Sequence, residues 1–187
     1  MKPRFWVFAG PNGAGKSTIV DQYVGGRIPI VNPDNIARML SADLSRSARI
    51  AQAGRAAINE RTRLLAARLS FGIETTLTGR SELDLMRTAV KAGYQVNFIY
   101  IGLRDLQHSI GRVEERVRNG GHDVPLADLL RRFDRSVANL RDAAAIANHR
   151  VTLLDNSGTR PRLILTMKDG RTKFRSSQFP CWADGIR

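Results

Sequence analysis

Cysteine is almost missing. Cys181 is the only one in 187 residues, so no disulfide forms within the chain, and a reducing compartment fits. Long apolar runs are missing as well. No stretch approaches the roughly 20 residues a membrane-spanning helix requires, and Pro11 and Asn12 cut the first apolar run too short for a secretory signal. These absences point to a cytoplasmic protein with no membrane partner. Aromatic residues amount to only 6% and form no cluster interleaved with a basic run, which disfavours a surface that stacks on nucleic-acid bases. Acidic residues are scarce: 17 Asp and Glu stand against 30 Lys and Arg, a formal charge of +13. Lysine itself is rare, with only Lys2, Lys16, Lys91, Lys168 and Lys173. Arginine holds phosphate bidentately, so this balance favours phosphate-bearing ligands. An Arg-rich proteome writes the same composition, and net charge speaks to partners rather than to a site.

What is present has a globular balance. With 42% hydrophobic and 25% charged residues in 20.8 kDa, the chain suits one cored domain over 1–187. Short apolar runs alternate with amphipathic segments, the pattern of an α/β protein with a mainly parallel sheet. Phe5 to Ala9 predicts a first strand buried on both faces, followed by a helix from Lys16 to about Tyr23. Ile28 to Val31 predicts a second strand, after which Asn32 is an N-cap and Pro33 the first helical residue. Ile50, Ala57, Ile58, Leu64, Leu65 and Leu69 predict a long helix over 47–69. Phe71 to Leu77 is a third strand, Ser81-Glu82-Leu83-Asp84 caps the next helix, and Gln95 to Ile101 is a fourth strand. Leu106, Ile110, Val113 and Val117 mark a helix that stops at Asn119-Gly120-Gly121. Pro125 opens another, with the stripe Leu129, Phe133, Val137, Leu140 and Ala144, before a fifth strand from Val151 to Leu154. In a tail of about 160–187, Asp169-Gly170 between two short apolar runs signals a hairpin.

The strongest motif is Gly10-Pro11-Asn12-Gly13-Ala14-Gly15-Lys16-Ser17-Thr18, a P-loop with a strand before it and a helix after it. Its glycines let backbone N–H groups curl around phosphate oxygens, and the helix N-terminus adds partial positive charge. Lys16 is the expected partner of the β- and γ-phosphates and Ser17 of Mg²⁺. Transport-type ATPases carry similar letters. They also carry a Gln loop, an LSGGQ-like segment and a strand ending in Asp-Glu, and none of these occurs here: the fourth strand runs out through Tyr100-Ile101-Gly102-Leu103-Arg104-Asp105.

Three further constellations carry chemistry. Asp34, in the run VNPDNIAR, follows the second strand, where loops of an open α/β sheet gather around a ligand. It is placed either to take a proton from an attacking hydroxyl or only to complement its helix dipole. In SFGIETTLTGR, Glu74 interrupts a buried strand and needs a partner: a ligand hydroxyl, a sugar, Mg²⁺ or an internal arginine. Thr75, Thr76 and Thr78 add hydroxyls and Arg80 closes the run, so Glu74, Thr76 and Arg80 join Asp34 as candidate substrate contacts. From about 112 to 136, Arg112, Arg116 and Arg118 precede a Gly-Gly break and Arg131, Arg132 and Arg135 follow it. Two arginine-bearing helices on a flexible turn describe a lid over phosphates, although i,i+4 pairing with Glu114, Glu115, Asp128 and Asp134 accounts for most of these residues. Two or three arginines are expected to touch ligand. His122 reads as a turn residue.

These segments together make residues 5 to 157 resemble the zeta-toxin group of P-loop kinases, in particular compact members in which NPD, ETTL.GR and RV..RV..GGH.VP follow the P-loop. The resemblance implies a three-layer P-loop kinase fold with a mainly parallel five-stranded sheet in the order 2-3-1-4-5, a helical lid and, here, a C-terminal β-hairpin. It implies ATP or GTP with Mg²⁺ and transfer to a hydroxyl, which in the better-understood toxins belongs to UDP-N-acetylglucosamine. By the same comparison Asp34 is the general base, Glu74 and Thr76 bind acceptor, and Arg116, Arg118, Arg131 and Arg132 lie in the lid region from which a phosphate-stabilising pair comes. Asn156, after the fifth strand, falls at the adenine position. An antitoxin is the partner protein implied, though no antitoxin segment lies in this chain. The stretch between the second strand and ETT is much shorter than in the large toxins, which leaves the acceptor open. The alternatives are a nucleic-acid 5′-hydroxyl kinase, which the +13 charge suits, and a regulatory protein that binds nucleotide without transferring it.

Overall fold

The structure, a computed structural model, describes residues 2–41, 43–120 and 124–186. The expected turn at Gly121 and His122 lies outside them. Seven strands form one sheet in the order β2-β3-β1-β4-β5-β6-β7. The first five are β1 (Arg4–Ala9), β2 (Ile30–Val31), β3 (Phe71–Thr75), β4 (Gln95–Gly102) and β5 (Arg150–Asp155), all parallel. The expected order 2-3-1-4-5 is present. The hairpin of β6 (Arg162–Lys168) and β7 (Arg171–Arg175) is not an appendage. It pairs antiparallel to β5 and extends the sheet to seven strands. Asp169 and Gly170 both take positive φ, 49° and 73°, as a two-residue turn matched to strand twist requires. β7 is exposed throughout and carries Arg171, Lys173 and Arg175, a charged edge that discourages pairing with another chain.

Alternation along β1 fills two cores. Phe5, Val7 and Ala9 pack with α3 (Arg46–Ala66), α4 (Arg80–Lys91) and α7 (Leu140–Ile146) on one face. Phe8 packs with Ile19, Val20 and Val24 of α1 (Lys16–Val24) on the other. Helices on both faces of a parallel sheet leave the carboxyl ends of the strands as the ligand edge.

Several boundaries differ from expectation. β2 keeps only two residues, and β3 ends at Thr75 because Leu77 turns into the left-handed region at φ 58°. The long helix α3 stops at Ala66, before Leu69. Ser81 does not cap α4: Gly79 takes that place, and the Ser81 hydroxyl donates to Glu82 instead. The helix opened by Pro125 is two, α6 (Leu126–Ala138) and α7, broken at Asn139, whose side-chain amide reaches the Leu77 carbonyl at 2.9 Å. The tail returns to the core. Trp182 packs on Tyr100 with ring centroids 5.5 Å apart and lies so close to Gly102 that a Cβ there would collide with the indole. Among the described residues no helix is long and apolar enough to cross a membrane.

Candidate active site

The P-loop joins β1 to α1 at the centre of that edge. At Gly10, with φ 149°, a Cβ would run into the Ile101 carbonyl oxygen of β4, so the loop leaves the sheet through a gap only glycine fits. α5 (Leu106–Arg118) lies directly on the loop. The buried Ser109 hydroxyl donates to Asn12 O at 2.7 Å, and a Cβ on Gly13 would stand 3.1 Å from that of Arg112. Arg112 then donates to Gly158 O at 3.1 Å, tying α5 to the loop after β5. Asn156, expected at the base, donates its amide to Ala14 O at 2.9 Å. That bond ties the loop after β5 to the P-loop.

Lys16 is 9% exposed and donates to Gly10 O at 3.0 Å and Pro11 O at 2.9 Å. Burial pushes its pKa down from 10.5 to about 8; Arg116 adds to the fall, while Glu74 and Asp34 oppose it. Asp34, Glu74 and Arg116 therefore all lie close enough to act on this one ammonium. Ser17 donates to both carboxylate oxygens of Glu74 at 3.0 and 3.1 Å. Asn32 does two tasks that its cap position alone did not disclose: its Oδ1 accepts from the Asp34 backbone N–H and its Nδ2 donates to Glu74 Oε2, both at 2.9 Å. Glu74 is thus partnered by a hydroxyl and an amide rather than by an arginine. β3 lies beside β1 with Glu74 level with Phe8, which brings the carboxylate to the P-loop.

Asp34 is the second residue of α2 (Pro33–Met39), exposed and facing a cavity of about 310 Å³ lined by Arg38, Arg46, Arg49, Ile50 and Arg132. The four candidate lid arginines divide. Arg116 acts on Lys16 and Arg132 reaches the Asp34 cavity. Arg118 lines a separate groove between α5 and α6 with Val117 and Leu126. Arg131 is exposed and held by Asp128 at 2.7 Å. Thr76 pairs with Thr78 at 3.3 Å, and Thr18 and Arg80 are exposed in the first turns of α1 and α4. The arginines of α2 and α3, together with Ser109, were not singled out as site residues, and Arg112 was named only as one of six lid arginines. Their signal was faint: Ser109 and Arg112 stand one helical turn apart on the face of α5 that meets the loop.

This sheet order with its glycine loop defines a P-loop protein with a kinase-like α/β fold. The family model described as an AAA domain matches residues 5–140, and the chain belongs to that family. It is 31% identical over 131 residues to an uncharacterized protein of Haemophilus influenzae, covering 66% of this chain and 93% of that one. Among solved structures, AvrRxo1-ORF1:-ORF2 with ATP superposes with a TM-score of 0.76 at 17% identity. That match takes in 92% of this chain, which spans only 60% of the other. The PezAT toxin-antitoxin system of Streptococcus pneumoniae gives 0.59 at 21% identity, covering 82% and 68%. A gluconokinase from Sinorhizobium meliloti 1021 gives 0.52 at 15%, covering 84% of each. At these identities the likeness is one of fold.

Proposed function

We propose that the protein is a phosphotransferase that moves the γ-phosphate of ATP or GTP, with Mg²⁺, to a hydroxyl of a small acceptor. The zeta-toxin resemblance makes a sugar or nucleotide-sugar such as UDP-N-acetylglucosamine the precedent. One observation carries the reading: Asp34 acts on the P-loop lysine and also borders a cavity. At about 310 Å³ that cavity is at the lower end for small-molecule sites.

In this reading Lys16 leaves the Gly10 and Pro11 carbonyls for the β- and γ-phosphate oxygens. Asp34 accepts the acceptor hydroxyl proton as that oxygen bonds to the γ-phosphorus and the bond from phosphorus to the bridging β-oxygen breaks. The nucleoside diphosphate leaves, and Arg116 and Arg132 offset the charge that builds on the equatorial oxygens. Ser17 and Glu74 suit Mg²⁺, a hard cation that takes hydroxyl and carboxylate oxygens, and Asn32 fixes the carboxylate. When bound, the ion would supply positive charge that neutralises the phosphates. This moves Glu74 from the acceptor to the metal side of the site. A protein that blocks the cleft remains part of the reading, since PezAT is a toxin-antitoxin pair.

Incubation with ATP, Mg²⁺ and a metabolite extract tests the proposal by mass spectrometry, through products heavier by one phosphoryl group that vanish in Lys16→Ala. The +13 charge favours a second reading, transfer to a nucleic-acid 5′-hydroxyl; it predicts oligonucleotide binding that weakens steeply with salt. Tight nucleotide binding with no transfer to any acceptor would replace both with a regulatory role.

A further inference from the structure

We infer that the cavity beside Asp34 is a phosphate-binding acceptor subsite: the acceptor is a small phosphate ester, gripped by Arg38, Arg46, Arg49 and Arg132 while its free hydroxyl meets Asp34. The inference rests on the phosphotransferase reading and names the chemical class of its acceptor.

The cavity presents four guanidinium groups against one carboxylate. Arg132 shares Asp128 with Arg131 at a distant 3.4 Å. Among the described residues no ion pair engages Arg38 or Arg49. The placement of Arg49 runs against local electrostatics. Arg46 and Arg49 lie at the start of α3, whose first turn contains no acidic residue, so two positive charges sit at the positive end of a 21-residue helix dipole. Arg38, in the last turn of α2, adds a third positive charge to the lining. Arg38, Arg46, Arg49 and Arg132 come from three helices to line one hollow. A dianionic phosphate offsets the repulsion, satisfies the dipole and is held bidentately by the guanidinium forks. A neutral polyol offers no charge to Arg38 or Arg49. Because α2 packs against α3, the short segment between β2 and β3 builds this wall itself.

The test separates the subsite from the reaction. With the P-loop saturated by Mg²⁺ and a non-hydrolysable ATP analogue, inorganic phosphate is titrated into protein labelled with ¹⁵N-arginine, and the Nε–Hε signals are followed by NMR. The expected result is saturable shifts at the four cavity arginines, with affinity lower by about ten- to a hundredfold in Arg38→Gln/Arg49→Gln. A melting transition no lower than that of the parent shows that the variant folds. No saturable shift, or equal shifts at the remote Arg87, overturns the inference. Turnover then compares matched acceptors, a sugar phosphate against its sugar and a nucleoside monophosphate against its nucleoside. A higher kcat/KM for the phosphorylated member, with the gap shrinking in the double variant, supports it; equal use of both overturns it. Phosphate binding without transfer to any acceptor supports the subsite and counts against the phosphotransferase reading. A strong preference for an oligonucleotide over the matched monophosphate overturns the small-ester assignment.

Discussion

Replacing Lys16 by methionine should change how stability depends on pH as well as abolish nucleotide binding. The folded chain holds this ammonium at 9% exposure, where its pKa falls from 10.5 to about 8. That difference is worth about 3 kcal/mol. Below about pH 8 the group is charged in folded and unfolded chains alike, and the folded state bears the full burial cost. As pH rises from about 8 towards 10.5 the folded chain has already shed the proton while the unfolded chain still holds it, so stability rises. Between pH 7 and pH 10 the free protein should gain about 2.5 kcal/mol relative to Lys16→Met. For a domain of this size that corresponds to a melting-temperature gap that moves by about 5 to 10 °C. Comparing the two proteins at each pH cancels the titration of the remaining groups. Calorimetry of both without nucleotide supplies the curves. Parallel curves would refute the reasoning, because they would mean that Lys16 keeps an ordinary pKa and is not desolvated in the empty loop. The same logic makes nucleotide affinity fall as pH rises through about 8, since the phosphates need the ammonium.

Asp34→Asn should lower transfer by about 10²- to 10⁴-fold with nucleotide binding unchanged, measured by steady-state kinetics beside a binding titration. Glu74→Gln should raise the Mg²⁺ concentration needed for half-maximal activity, because Ser17 and Asn32 then hold a neutral amide; an unchanged Mg²⁺ dependence would return Glu74 to the acceptor. Gly102→Ala forces a methyl into the Trp182 indole and should cost about 1–3 kcal/mol, or roughly 2–12 °C by thermal melt. Shortening the same tail partner with Trp182→Leu should recover part of that loss.

What the sequence disclosed was local. The glycine spacing before Lys16, the Asn32-Pro33 helix start and the Asp169-Gly170 turn each depend on a few adjacent residues whose backbone preferences act alone, and each formed as expected. Elements that depend on distant partners were less visible. Helical spacing ran through Asn139 without a mark, because the break coincides with a side-chain contact to Leu77, 62 positions away. Asn156 read as a base contact from its place after β5, and only the folded chain shows its amide spent on Ala14. Glu74 announced that it needed a partner, but its two partners come from the first turn of α1 and the N-cap of α2. The arginines resisted most. Twenty-five of them along one chain look alike in sequence, and helix packing decides which converge on Asp34.

The central claim is that the phosphate held by the loop goes to an organic hydroxyl and not to water. ATP carrying ¹⁸O in its γ-phosphate, incubated with the protein, Mg²⁺ and a metabolite extract, reports the destination directly by mass spectrometry. The account predicts the label in an organic phosphate ester, and its disappearance when Asp34 is asparagine. Label found in inorganic phosphate alone, to the same extent with Asp34→Asn, would contradict it.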